Sequence, residues 1–220
     1  MSAKAKKGRV SMGKAILFIG GERPYNPLPE GVPEEGDLVI AADSGLEYAL
    51  TCGIEPHLAI GDFDSISDKR LLEGMECTTI ERYPEDKELT DTELAMKKAI
   101  DEGYREIIIL GGGGGRLDHL LGIISLFERE NPPDRWYASF GSAYLIDRVR
   151  EFSFEEERLV SFFPLGSDVC RPYSKGLKWE LEGLVWRRGD LGISNRQQKK
   201  VFEVDVITGT MLMVVPTKSV

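Results

Sequence analysis

The sequence predicts an α/β protein: a mainly parallel sheet with flanking helices in an N-terminal domain, then a small C-terminal antiparallel β-sandwich. Three observations predict it. Short apolar runs alternate with helix-like segments through the first half of the chain. Helical periodicity nearly vanishes after about residue 148, where short β-rich runs separated by turns take over. Between the two regimes, Pro132-Pro133 interrupts the alternation.

Taken in order, "AILFIG" (Ala15–Gly20) is short, apolar and closed by glycine, as a buried strand is. "DLVIAAD" (Asp37–Asp43) repeats the pattern, and "LEYALTCG" (Leu46–Gly53) reads as a short helix ended by Gly53. "HLAIGDFDS" (His57–Ser65) is a third strand running into a polar loop. "TDTELAMKKAIDEG" (Thr90–Gly103) has a polar start, acids in its first turn, lysines later and a terminal glycine, the order that the helix dipole favours. "EIIILGG" (Glu106–Gly112) is a wholly apolar strand, followed by a helix from about Leu117 to Arg129. Strands alternating with helices imply a parallel sheet covered on both faces. The later β-rich segments are "RWYASF", "AYLIDR", "RLVSFFPLG", "LKWELEGLVWRRG" and "VFEVDVI". Residues 1–13 therefore read as a tail, 14–148 as the α/β domain and 149–220 as the β-sandwich domain.

With 220 residues, 41% hydrophobic and 30% charged, the chain is an ordinary globular protein able to bury a core. Its 28 basic and 37 acidic residues leave a net charge of −9, which argues against an extended nucleic-acid surface. A phosphate ligand remains open, because a metal ion inverts the sign of a local acidic site. Cys52, Cys77 and Cys170 are widely spaced without metal-ligand spacing, pointing to reduced thiols and a cytoplasmic protein. No apolar run approaches the ~20 residues of a membrane span, and the basic start lacks the apolar core of a signal peptide.

Three segments carry chemistry. In "GDFDS", Asp62 and Asp64 are two apart, so in extended backbone both carboxylates point to one side. They follow an apolar strand, where open parallel sheets place their ligand sites. Clustered carboxylates repel unless one is protonated or a cation lies between them, and Mg²⁺ fits such oxygen donors. A solvated turn with aspartate capping its own backbone is the alternative. In "YPEDKELTDTELA", Asp91 is a candidate third ligand, with Lys87 and Thr90 meeting phosphate; Thr90 as a plain N-cap is the alternative. In "LGGGGGRLDHLLG", five glycines between a strand and a helix suit close approach of an anion, and Arg116 suits phosphate. A linker is the alternative there, and His119 reads as a structural histidine. The loop lacks the Gly-Lys-Ser/Thr ending of a Walker loop and the full dinucleotide pattern. Together, these strand ends would converge on one rim holding Mg²⁺ and a polyphosphate.

The ordered set "AADSG", "GIEPHLAIGDFDS", "YPEDKELTDTELA", "GGGGGRLDH", "SKGLKW" and "GISN" resembles the thiamin pyrophosphokinase family, from about residue 15 to 217. Ser44, where a second glycine is usual, and His57, where an aspartate is usual, depart from the family pattern. The resemblance implies an N-terminal α/β domain, a C-terminal β-sandwich and a homodimer with sites at the subunit interface. It implies transfer of the terminal diphosphate of ATP to the hydroxyl of thiamin, giving thiamin diphosphate and AMP, with Mg²⁺ as cofactor. Residue by residue, it implies Asp62, Asp64 and Asp91 as ligands of magnesium and ATP phosphates, with Asp43 at the same rim. Lys87, Thr90 and Arg116 would grip the polyphosphate over Gly114 and Gly115, and Asp118 would orient or deprotonate the thiamin hydroxyl, with metal coordination as its alternative role. Ser194 and Asn195 look like thiamin contacts. Trp179 would offer an aromatic face to the cationic thiazolium, or would pack in the core of a strand. Of the five glycines, Gly114 and Gly115 are expected to tolerate substitution least. The alternative functions are a Mg²⁺-dependent phosphotransferase acting on another small alcohol, and a nucleotide- or thiamin-binding sensor without turnover. The number of carboxylates speaks against a sensor, since binding alone needs fewer.

Overall fold

The computed structural model describes residues 13–24, 28–166 and 168–217, so the expected N-terminal tail lies almost wholly outside the described residues. Six parallel strands come first: β1 (Ala15–Phe18), β2 (Leu38–Ala42), β3 (Leu58–Gly61), β4 (Thr79–Arg82), β5 (Ile107–Leu110) and β6 (Arg135–Ala138). Helices α1 (Gly45–Thr51), α2 (Asp91–Asp101) and α3 (Leu117–Leu126) connect them. Seven antiparallel strands follow: β7 (Gly141–Ile146), β8 (Arg150–Ser153), β9 (Leu159–Leu165), β10 (Arg171–Lys175), β11 (Gly192–Arg196), β12 (Val201–Thr208) and β13 (Thr210–Pro216).

The strands form one sheet of ten, ordered β11-β9-β13-β7-β6-β5-β1-β2-β3-β4, and a second of three, β10-β12-β8. The α/β class and the antiparallel second half are as expected. The expected boundary near residue 148 falls between β7 and β8, yet the large sheet runs through it unbroken, because β7 pairs with β6 on one side and β13 on the other. One layer of the sandwich is thus an extension of the parallel sheet.

Side chains two apart on a strand share a face, and this sorts the core into layers. Leu17, Ile40, Ile60 and Ile109 meet Ala95, Met96 and Ala99 of α2 and Ile123 and Leu126 of α3. Phe18, Val39, Ala41 and Ile108 on the opposite face meet Leu46, Tyr48 and Ala49 of α1. Ile146, Phe162, Met211 and Met213 face Phe202, Val204 and Val206 of the small sheet.

Local chemistry sets most ends. Thr90 and Glu93 form a reciprocal capping box that starts α2. Helix α3 stops at Leu126, short of the expected Arg129, as Phe127, Glu128 and Arg129 donate to carbonyls three residues back and tighten the chain. There Arg129 pairs with Glu93, and Glu128 pairs with Arg188. "LKWELEGLVWRRG" forms no regular strand; only Leu177, Trp186 and Arg188 make isolated bridges. Strands β4, β8, β10, β11 and β13 are not among the runs read from sequence. His57, one of the two departures, is structural: its Nδ1 accepts the Val39 amide at 2.9 Å. Ser44 precedes α1 without a side-chain cap bond. Among the described residues, no helix is long and apolar enough to cross a membrane.

Candidate active site

The carboxyl ends of β2 and β3 carry the acids. Asp43 follows β2 in a left-handed conformation (φ 49°), its amide held by Ile60 O at 2.8 Å. Gly61 permits this: a Cβ there would stand 3.2 Å from Asp43 Cα. Beyond β3 the chain turns at Phe63, which is fully buried and also left-handed (φ 59°). Non-glycine residues adopt this region at a cost, and such strain concentrates at functional sites. Asp62 and Asp64 therefore come together by a turn about an anchored phenylalanine, and not through the extended alternation expected from their spacing. The turn is closed by the Asp64 amide, which donates to Asp62 Oδ1 at 3.1 Å. Ser65 donates its hydroxyl to Asp43 Oδ2.

One oxygen each from Asp43, Asp62 and Asp64 lies within 4.8 Å of the others. Asp91, at the start of α2, joins through Lys87, whose Nζ is 3.3 Å from Asp91 Oδ1 and 3.8 Å from Asp62 Oδ2. The like charge of Asp62, then burial and Asp43, push the Asp64 carboxyl above its ordinary pKa. The Asp64 amide, aided by Lys87, holds Asp62 below it. Burial raises Asp91 against the pull of Lys87. Asp43 Oδ1 and Asp91 Oδ1 are shut off from solvent without a well-aligned hydrogen bond. Crowded hard oxygen donors with orphaned lone pairs are chemically suited to Mg²⁺. The tightest set is Asp43, Asp62 and Asp64, with Asp91 one lysine away.

The glycine run lies at the end of β5. Strand order runs outward from β1 in one direction and, from β5, in the other; this switch point opens a crevice at the carboxyl ends. The first three glycines are joinery. Gly111, Gly112 and Gly113 donate to Tyr137 O, Gly20 O and Glu22 O, and Trp136 Nε1 donates to Gly111 O at 2.8 Å. A Cβ on Gly111 (φ 104°) would meet Ile19 O at 2.4 Å, and one on Gly113 would meet Ser139 Oγ at 2.4 Å. Gly114 (φ 109°) is constrained by its backbone, but a Cβ on Gly115 has nothing within 4 Å. The expectation that Gly115 tolerates substitution least is thus corrected, because the close backbone contacts fall earlier in the run. Among the described residues, the amides of Gly114 and Gly115 have no protein partner.

Arg116 and Asp118 lie exposed at the start of α3 in a two-pronged ion pair (2.9 and 2.6 Å). That pair holds the Asp118 carboxyl far below the usual carboxylate range. His119 is exposed on α3 and is not a packed core histidine. The Thr90 hydroxyl is spent in its capping box, the plain N-cap alternative.

The remaining three candidates lie elsewhere. Trp179, 53% exposed, is no core residue. Asn195 of β11 is buried and bonded to the backbone of Trp179, while Ser194 is exposed and left-handed (φ 61°). β11 is seven strands from β2 across the large sheet; at about 4.8 Å per strand this is roughly 30 Å. One chain does not bring these residues to its own carboxylates.

Sequence reasoning missed three residues at the rim. Glu47 of α1 accepts the Ser67 amide and hydroxyl at 2.5 and 2.6 Å, tying down the Asp62–Asp64 loop, and Ser65 braces Asp43. Arg82, opposite Gly61 in register, lies over the Phe63 ring at 5.3 Å, with no ion pair among the described residues. Ser65 was visible only as part of "GDFDS", and Arg82 carried no signal because edge strand β4 was not read.

By fold and site, the protein is an open-sheet α/β enzyme with its carboxylates gathered at the carboxyl edge of the parallel strands. Comparison with known proteins narrows the class. Residues 31–134 match the family model "Thiamin pyrophosphokinase, catalytic domain", and residues 146–210 match "Thiamin pyrophosphokinase, vitamin B1 binding domain". The thiamine pyrophosphokinase of Bacillus subtilis (strain 168) is 31% identical over 183 residues, 76% of this chain and 82% of that protein. A crystal structure of the Bacillus subtilis thiamine pyrophosphokinase superposes with a TM-score of 0.79 at 27% identity, covering 94% of this chain and all 100% of the other. That of the Geobacillus thermodenitrificans thiamin pyrophosphokinase gives 0.72 at 24% identity, covering 93% and 98%. The chain belongs to the thiamin pyrophosphokinase family.

Two outcomes are expected. Gly111→Ala lowers stability by about 1–3 kcal/mol through overpacking and left-handed strain, whereas Gly115→Ala melts as the wild type; urea titration of both checks this. Asp64→Asn raises the melting temperature without metal, because a repelling charge is lost, and cuts the gain from MgCl₂ to less than half. Differential scanning fluorimetry with and without MgCl₂ reads both effects.

Proposed function

We propose that the protein transfers the terminal diphosphate of ATP to the hydroxyl of thiamin, forming thiamin diphosphate and AMP. The observation that carries this reading is the cluster of Asp43, Asp62 and Asp64 at the same carboxyl edge of the parallel strands as the unpaired amides of Gly114 and Gly115. In the balanced step, the thiamin hydroxyl oxygen bonds to the β-phosphorus of ATP. The bond from that phosphorus to the oxygen bridging to the α-phosphate breaks, and the hydroxyl proton leaves to solvent.

Asp43, Asp62 and Asp64 would hold Mg²⁺, with Asp91 behind them. When bound, the ion neutralises charge on the polyphosphate and on the carboxylates that otherwise repel it. Lys87 lies between Asp62 and Asp91 as a point charge for the phosphates. The Gly114 and Gly115 amides and the Arg116 guanidinium supply further donors, with the polyphosphate drawing Arg116 from Asp118. Asp118, released as Arg116 turns to the phosphates, orients or deprotonates the thiamin hydroxyl. Positioning and charge neutralisation are the main demands of such a transfer.

The acceptor side comes from a partner. Trp179 and Ser194 lie roughly 30 Å along the sheet from the carboxylates of their own chain, by strand spacing. A homodimer that sets one chain's carboxylates against the partner's indole would supply both halves of a site. The three unpaired cysteines and the net charge of −9 favour a cytoplasmic protein without a nucleic-acid partner.

A nucleotide assay with Mg-ATP and thiamin is expected to yield AMP and thiamin diphosphate. ADP would instead indicate single-phosphoryl transfer, and binding without product would indicate a sensor. Asp64→Asn is expected to lower turnover at least about tenfold, roughly 1.4 kcal/mol of transition-state stabilisation. Mixing Asp64→Asn and Trp179→Ala chains, assayed at thiamin well below KM where each alone is impaired, should restore about a quarter of the wild-type rate after subunit exchange, since half the dimers are mixed and each has one intact site. No recovery would refute the shared site.

A further inference from the structure

The loop between β10 and β11 places an exposed aromatic ring on an immobilised backbone. Asn195 grips Trp179 from both sides: its Oδ1 accepts the Trp179 amide at 3.2 Å and its Nδ2 donates to Trp179 O at 2.6 Å. Asn195 is only 6% exposed, and its Oδ1 also accepts the Arg196 amide at 2.8 Å. Both lone pairs of that oxygen are therefore used, and one N–H remains of the side chain's capacity. Glu180 ties the other flank of the loop, taking the Gly176 amide on Oε1 at 2.7 Å and the Ser174 hydroxyl on Oε2 at 2.5 Å. Ser174 is buried, and its oxygen accepts the Leu181 amide at 3.0 Å. The indole itself stands out from this clamp. Lys178 Nζ lies 4.5 Å from its ring centroid, so the open face is already of a geometry that accepts a cation.

Resting on the thiamin reading above, we propose that Asn195 and Glu180 are positioning residues that present the Trp179 face to the cationic ring of the acceptor. Asn195 acts through Trp179 and does not touch the acceptor, contrary to what the family resemblance implies. A preset backbone spares the acceptor the ordering entropy of the loop, so loosening it weakens acceptor binding and leaves the nucleotide side untouched. Lys178, seated on the same face, is the group the acceptor displaces.

Steady-state kinetics on the full-length enzyme with Mg-ATP and thiamin test this. Trp179→Ala, Asn195→Ala and Glu180→Ala are each expected to raise KM for thiamin at least about fivefold, with KM for Mg-ATP held within about twofold. Glu180→Gln, which keeps an acceptor for the Gly176 amide, recovers most of the loss. Adding Asn195→Ala to Trp179→Ala costs no more than about twofold further, because an effect routed through the indole vanishes with it. Additive losses in the double variant would show Asn195 touching the acceptor and overturn the inference. An unchanged thiamin KM in both Asn195→Ala and Glu180→Ala would also overturn it. A Trp179→Ala enzyme with normal thiamin KM would instead remove Trp179 from the acceptor site, a failure of the underlying reading. Should Asn195→Ala not melt cooperatively, Asn195→Asp, which keeps an acceptor for the Trp179 and Arg196 amides but sets a charged oxygen in place of the donor to Trp179 O, is judged by the same criteria.

Discussion

Like charges held together against their repulsion are the constraint on which the rest of this structure depends. Three carboxylates within 4.8 Å do not gather unaided. The backbone compels them: Phe63 is buried in the α1 face of the sheet, and its left-handed turn sends Asp62 and Asp64 outward together. Gly61 leaves room for Asp43, Ser65 braces it, and Glu47 ties the loop to α1. Each device is ordinary. Jointly they store a repulsion, which is the physical basis of the proposed Mg²⁺ site.

The same economy governs the glycine run. At the switch point β1 and β5 must meet closely, and Gly111 to Gly113 let the chain leaving β1 pack and hydrogen-bond where side chains would collide. Only the last two glycines keep free amides. A stretch that looks uniform in sequence therefore has two functions, a joint and a donor surface, divided by what lies beside each residue.

Continuity of the large sheet shapes the enzyme at a longer range. Because β7 pairs with both β6 and β13, the two halves form one rigid span in which strand spacing, and no flexible linker, sets the distance between carboxylates and indole. A separation of roughly 30 Å cannot be closed by small motions of such a sheet. The clamp on Trp179 fits the proposed shared site, since a surface offered to a partner chain must hold its shape alone.

The sequence by itself determined the alternation of apolar strands and amphipathic helices, the shift to β structure after the prolines, the cap at Thr90, and which acids end strands. These are local properties, written in side-chain periodicity and in hydrogen bonds spanning a few residues. Only the tertiary structure decided that Asp43 joins Asp62 and Asp64 while Asp91 stands behind Lys87. It alone showed that Gly115 is unconstrained, that Arg116 is engaged by Asp118, that Arg82 covers Phe63, and that Asn195 is bonded to the Trp179 backbone. The reason is physical: repulsion, steric exclusion and hydrogen-bond capacity depend on distances across the fold, and residue spacing along the chain does not encode those distances.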